Sequence, residues 1–291
     1  MRLAQIRLMI KSIPFKLVRI AVPIVSLVTA FYALNRLATG RLGFYVWKVV
    51  SGEAHGGQYV NIDHFRIYFE TYGHGPPVLV LHGGLGVIED MQHQIRALAR
   101  ERFVVAVDSR GHGRSTDSDA PLTYAAMADD MLKVLDALKI DWADVVGWSD
   151  GGIIALDLAM HHPDRVRRIV AIGANFDPDG LAWKPDLGAK IPLAPGFYVL
   201  NAPDPTYWPV LYRKVTTMWL TQPHYTLADL ATIKAPTLLI AGQFDAVKRE
   251  HTDQLAKAIS GSDAFIIEGG THSELSERAD IVNARILRFL E

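Results

Sequence analysis

The sequence predicts an α/β protein, a mostly parallel β-sheet with helices on both faces. Three observations predict it. From residue 58 onward, short runs rich in Val, Ile, Leu and Ala alternate with longer helical stretches, the alternation that builds parallel sheets. The central runs, such as 77–81 and 166–173, are almost continuously apolar, as strands buried on both faces must be. Apolar residues make up 49% and charged residues 21% of 291, enough for a large core and unlike disordered or collagen-like chains.

Taken in order, the first segment stands apart. Arg2, Arg7, Lys11, Lys16 and Arg19 precede any acidic residue, and residues 20–35 carry no charge. A basic flank followed by an apolar run reads as an anchor or an export signal. As a helix the run spans about 24 Å, short of the roughly 30 Å hydrocarbon core unless Arg19 and Arg36 snorkel. Val28-Thr29-Ala30 offers small residues suited to signal cleavage, although bulky Phe31 and Tyr32 follow. A buried or interfacial helix is the remaining reading. For anchor and signal alike, the excess positive charge ahead of the run puts the rest of the chain on the non-cytoplasmic side, membrane-anchored or exported. Residues 1–50 are therefore expected to be an anchor or signal with a linker, and residues 51–291 the folded domain.

Within that domain, 58–64 and 65–72 read as an antiparallel pair of strands. Further strands are expected at 77–81, 103–108, 144–147, 166–173, 236–241 and 264–268, and helices at 91–100, 124–138, 152–161, 251–259 and 279–290. His161-His162-Pro163 resembles a metal cluster but closes a helix, since proline cannot continue one. Residues 178–228 break the alternation. They hold eight of the fifteen prolines, three of the six tryptophans and four of the ten tyrosines without a clear strand. An insertion of short helices is expected there, of the kind that forms lids.

A net charge of −1 gives no electrostatic support for nucleic-acid binding. The absence of cysteine excludes disulfides, thiolate metal sites and cysteine nucleophiles. Neither a Walker loop nor Gly-x-Gly-x-x-Gly occurs.

The sharpest motif is Gly147-Trp148-Ser149-Asp150-Gly151-Gly152, after an expected strand and before an expected helix. This is the context of a nucleophile elbow, a turn tight enough to project a serine and to require neighbours without Cβ atoms. Serine needs a base, and the base needs an acid to hold its tautomer. His272 follows the last strand and Asp245 the strand before it, so both lie with Ser149 at carboxyl ends, where sites gather in parallel sheets. The order serine, acid, histidine suits this architecture.

With these motifs the chain resembles the α/β-hydrolase family over roughly residues 58–291. Further matches are His82-Gly83-Gly84 after the third strand and Asp108-Ser109-Arg110-Gly111-His112-Gly113-Arg114-Ser115 after the fourth. The resemblance implies an eight-stranded sheet opened by the antiparallel pair, and a short helical cap at 178–228 after the sixth strand. It also implies an oxyanion hole from the backbone N–H groups of Gly84 and Asp150. Some members carry the acid after the sixth strand, which makes Asp177 the rival to Asp245 or else a hinge or pocket residue. The Trp148-Ser149-Asp150-Gly151-Gly152 string is similar to that of valacyclovir hydrolase-like members. In those, the equivalent acidic residue favours α-amino-acid esters. A carboxylate at a helix N-terminus is also favourable for its own sake.

The expected activity is cofactor-independent hydrolysis of a small to medium, largely apolar ester, with no metal. Substrate contacts are expected from Trp148, Asp150, Asp177, Trp183, Trp208 and Trp219. Tyr207 and Tyr212 serve either the cap core or the substrate. Carbon–carbon bond hydrolysis and perhydrolysis use the same triad, and a membrane-tethered binding protein without turnover is the rival of another class.

Overall fold

A computed structural model describes residues 40–291. The basic flank and uncharged run lie outside the described residues, and with them the expected anchor or signal. Residues 1–50 and 51–291 are two separate units. In the first, residues 40–50 are helical where a linker was expected. Phe44 stacks on Trp47 at 5.6 Å, and Lys48 Nζ lies over the Phe44 and Tyr45 rings. No helix among the described residues is long and apolar enough to cross a membrane.

The second unit is built on strands β1 (Ala54–Ile62), β2 (Phe65–Tyr72), β3 (Pro77–Leu81), β4 (Phe103–Asp108), β5 (Ala143–Trp148), β6 (Val166–Ile172), β7 (Thr237–Phe244) and β8 (Asp263–Thr271). They form one sheet in the order β1-β2-β4-β3-β5-β6-β7-β8. The β1–β2 and β2–β4 pairs are antiparallel, and every later pair is parallel. The helices are α1 (Gln92–Leu98), α2 (Tyr124–Ala137), α3 (Asp150–His161), α4 (Gly196–Asn201), α5 (Trp208–Thr221), α6 (Leu227–Leu230), α7 (Arg249–Ala258), α8 (Glu274–Glu277) and α9 (Ala279–Leu290). Against the sheet, α2 packs with α3, and α1 with α9. Val78 to Leu81, Val104 to Val107 and Ile169 to Ile172 are buried throughout, which accounts for their uninterrupted apolar runs.

Several elements outrun their expected bounds. β7 and β8 continue past their last aliphatic residues because Phe244 still pairs with Thr271. α3 begins at Asp150, two residues earlier than expected, because the turn at Ser149 leads straight into the helix.

The strand order locates the site. From β3 the chain runs to β4 on one side and then to β5 on the other, so the connections diverge between the carboxyl ends of β3 and β5. Such a switch point leaves a crevice at those ends.

The insertion after β6 contains α4, α5, α6 and two 3-10 turns, Pro178–Gly180 and Pro205–Tyr207. Its buried Tyr198, Trp208, Leu211, Val215 and Met218 join the hydrophobic core of the domain. The Tyr207 hydroxyl and Lys214 Nζ both bind Asp117 in the loop after β4, at 2.7 and 2.9 Å.

Candidate active site

Ser149 stands between β5 and α3 with φ +54 and ψ −117, a left-handed conformation that costs a non-glycine residue energy and recurs at functional sites. The turn is possible because a Cβ on Gly147 would lie 2.0 Å from the Gly151 carbonyl oxygen. The Ser149 N–H donates to Ile172 O at 2.7 Å, fastening the elbow to β6.

His272 follows β8, and its Nε2 is 3.0 Å from Ser149 Oγ. Its Nδ1 is 2.6 Å from Asp245 Oδ1. Asp245, just beyond β7, is held by the Gly242 N–H on Oδ2 and the Val247 N–H on Oδ1. Burial lowers the His272 pKa, but the Asp245 hydrogen bond and charge outweigh it and leave the imidazole above its ordinary 6.5. The Trp148 indole N–H donates to the His272 carbonyl at 2.8 Å, pinning the loop that carries the imidazole. The structure thus brings Ser149, His272 and Asp245 into one line of contacts. Asp177 is elsewhere: its Oδ1 caps the Pro178–Gly180 turn and its Oδ2 meets His224 Nδ1 at 2.9 Å.

A cavity of about 150 Å³ opens beside Ser149. Of the expected substrate contacts, Trp148, Asp150, Trp183 and Trp219 line it; Asp177 and Trp208 do not. Trp208 is buried in the core instead, its ring tilted against those of Tyr198 and Tyr212 and its indole N–H donating to Pro192 O. Trp183 meets Trp219 edge-on at 6.0 Å. Tyr124, Asn175, Leu181, Gln222 and Ala246 complete much of the wall, and nothing in the sequence distinguishes them from ordinary core or loop residues.

Asp150 is not the solvated carboxylate its helix position allows. Only 5% exposed, it accepts from Trp219 Nε1 at 2.9 and 3.0 Å and from the Tyr124 hydroxyl at 3.1 Å. Burial pushes its pKa up to about 6, against the pull of those two donors and of His272. A Cβ on Gly84 would meet Asp150 Oδ2 at 2.4 Å and Trp219 at 2.6 Å, so only glycine lets the β3 loop pass under them.

The loops around the site are braced by two buried histidines. His82 Nδ1–H donates to Gly83 O, and its Nε2 accepts from the Ser109 N–H. His112 Nδ1–H donates to Arg110 O, and its Nε2 accepts from the Leu85 N–H. Burial lowers their pKa values to about 4 and about 3, so both stay neutral and each can accept as well as donate. Asp108 accepts from the Ile88 and Arg114 N–H groups, and Arg110 forks onto Asp130. His162 ends α3 as its cap. Among the described residues no group of three or more His, Asp or Glu is arranged to hold a metal.

Residues 76–204 match the model of the alpha/beta hydrolase fold family. A putative carbamate hydrolase, RutD, of Azorhizobium caulinodans is 30% identical over 262 residues, covering 81% of this chain and 97% of that protein. The chain belongs to the alpha/beta hydrolase fold family. This α/β hydrolase is also similar to the human serine hydrolase BPHL, with 28% identity covering 80% of this chain and 85% of that one. Among solved structures, a membrane phospholipase A described as a bacterial virulence factor superposes with TM-score 0.69 and 21% identity, covering 95% of this chain and 98% of the other. At that identity the likeness concerns the fold alone. By its family, the α/β hydrolase is an enzyme of the hydrolase class.

Proposed function

We propose that the chain is a serine hydrolase cleaving small to medium, largely apolar carboxylic esters through an acyl-enzyme. The supporting observation is the run of contacts from Ser149 Oγ through His272 to Asp245 beside a small, largely apolar cavity. His272 Nε2 takes the Ser149 proton as Oγ attacks the carbonyl carbon, and Asp245 steadies the imidazolium that forms. The proton then passes to the leaving alkoxide, and water repeats the sequence to free the acid.

The oxyanion is assigned to the backbone N–H groups of Gly84, in the loop after β3, and Asp150, at the start of α3, both of which line the cavity beside Ser149. Losing one such donor typically costs about 3 kcal/mol of transition-state stabilisation. Gly84→Val, whose Cβ displaces Asp150 and Trp219, is expected to lower kcat by about 100-fold and to cost about 1–3 kcal/mol of stability through overpacking, with the fold retained. Unchanged turnover would remove Gly84 from the hole.

The cavity's size favours short acyl chains. The test is hydrolysis of p-nitrophenyl acetate, butyrate and octanoate by the full chain, with kcat/KM expected to fall toward octanoate; a preference for octanoate would contradict the size argument. A second reading is carbamate cleavage on the same triad, favoured by the name of the A. caulinodans relative and its coverage. Release of free amine from a carbamate, with the esters left intact, would select it.

Asp150 is proposed as the acidic recognition point of the cavity, because its carboxylate retains acceptor capacity beyond Trp219 and Tyr124. Asp150→Asn should then reduce the preference for aminoacyl over simple acyl esters. An unmoved preference would leave the carboxylate only its bond to the insertion.

Residues 1–50 are proposed to anchor the enzyme to a membrane, with the catalytic domain on the non-cytoplasmic side. Protease added to intact cells should digest the domain, and protection would reverse the orientation.

A further inference from the structure

Glu274, two residues beyond His272, is fully buried, and neither carboxyl oxygen has a hydrogen-bond partner. Its own backbone N–H lies near the carboxyl without completing a hydrogen bond. The surroundings are polar but short of donors. Gln94 spends its amide N–H groups on Leu275 O and Asn283 Oδ1, and the side-chain oxygens of Gln92 and Gln94 are themselves buried without partners.

The charged and titratable groups on the elements packed against α8 are Glu89 and Asp90 before α1, His93 and Arg96 on α1, Asp263 and Glu268 on β8, and Arg278, Asp280, Arg285 and Arg288 at or on α9. His272 stands at the end of β8, and Asp245 faces it from the β7 loop. Glu89 is bound by Arg114, and Arg285 by Asp263. The charges acting on Glu274 are those of Asp245 and Glu277, both unfavourable to a carboxylate, and of His272, which favours one.

We propose that Glu274 is a pH-sensitive switch outside the catalytic machinery, a buried neutral carboxyl whose ionisation withdraws His272 from Ser149. This rests on the reading of Ser149, His272 and Asp245 as the catalytic residues. A protonated carboxyl can remain where it is, whereas a carboxylate without a donor is strongly disfavoured in such a place. Reaching water requires the 273–277 turn to move, and that turn begins at the residue after His272. Burial first, then Asp245, push the Glu274 pKa up to about 8, so the neutral form prevails at neutral pH.

The test compares the full chain with Glu274→Gln and Glu274→Met, both permanently neutral, by kcat/KM for p-nitrophenyl acetate from pH 6 to 9.5 and by Tm from pH 4.5 to 9. All three proteins are expected to agree within about threefold at pH 7. Above about pH 8 only the parent should lose activity, approaching tenfold per pH unit. A decline shared by the variants, or no decline in the parent, overturns the proposal. So does a loss above about tenfold at pH 7 in both variants.

The Tm comparison does not depend on turnover. With the folded pKa raised above the ordinary 4.5, the unfolded chain releases this proton first, so the parent loses stability as pH rises from 4.5 toward 8. The variants' Tm advantage should widen over that range, and a constant difference would show that Glu274 is not held neutral. Absence of turnover in the parent at every pH would overturn the hydrolase reading and the switch together, while Tm would still report the state of the carboxyl.

Discussion

Ser149→Ala is expected to reduce ester turnover by on the order of 10⁴- to 10⁶-fold, while the fold and Tm persist. The size follows from the site. Removing Oγ removes the attacking atom itself, and among the described residues no other hydroxyl is in contact with His272 Nε2. What survives is the contribution of the oxyanion donors and the cavity to attack by water. Stability should change little, because Ser149 makes no side-chain cap bond to α3 and the elbow is fastened through its backbone N–H. Alanine also keeps the left-handed strain at this position, so no compensating stabilisation is expected. Steady-state hydrolysis of p-nitrophenyl butyrate with a parallel melting curve checks both statements. A variant retaining more than about a tenth of the activity would remove Ser149 from the mechanism.

Asp245→Asn is expected to cost on the order of 10³- to 10⁴-fold in kcat and to move the acid limb of the pH profile downward. The first effect arises because Nδ1 no longer faces a carboxylate, so the tautomer that leaves Nε2 free to accept is no longer enforced. The second follows from sign. Only neutral His272 can accept the serine proton, so activity rises with pH, half-maximal above pH 6.5 while Asp245 holds the imidazole pKa up. Without that charge and hydrogen bond, burial, the largest cause, lowers the pKa against only the smaller pull of Glu274 and Asp150. The same linkage touches stability: with the folded pKa raised, the ion pair contributes fully below about pH 6.5 and its contribution is lost as pH rises through the folded value. Asp177→Asn should leave rate and profile unchanged, since its carboxylate meets His224 rather than His272. If Asp177→Asn reproduced the loss instead, the acid would be wrongly placed.

The line of contacts was legible because Ser149, Asp245 and His272 each follow a strand whose apolar run declares it. A parallel sheet places all such strand ends along one edge. The insertion was legible as a break in that alternation, rich in proline and aromatic residues. Its inward side was not. Whether an aromatic faces the cavity or the core depends on packing between segments, which local pattern does not report; Trp219 turned inward to Asp150, whereas Trp208 joined the core.

Asp177 shows the same limit for charge. Its position after β6 suited an acid or a pocket residue, but the Pro178–Gly180 turn takes its carboxylate as a cap. Glu274 is the clearest case. Ser273-Glu274-Leu275-Ser276-Glu277 carries no apolar run to mark it as core, yet the turn is folded against α1 and α9 with Glu274 inside. Strand ends are set by nearest neighbours in sequence, whereas these side chains are placed by distant ones.

Everything proposed for this site depends on Ser149 being an activated nucleophile. Incubating the full chain with a fluorophosphonate and locating the adduct by mass spectrometry of its peptides tests that most directly. One phosphonylated residue, Ser149, is expected, with no labelling when His272 is replaced by alanine. Labelling at another serine, or labelling of the folded parent no faster than of its Ser149→Ala variant, would contradict it.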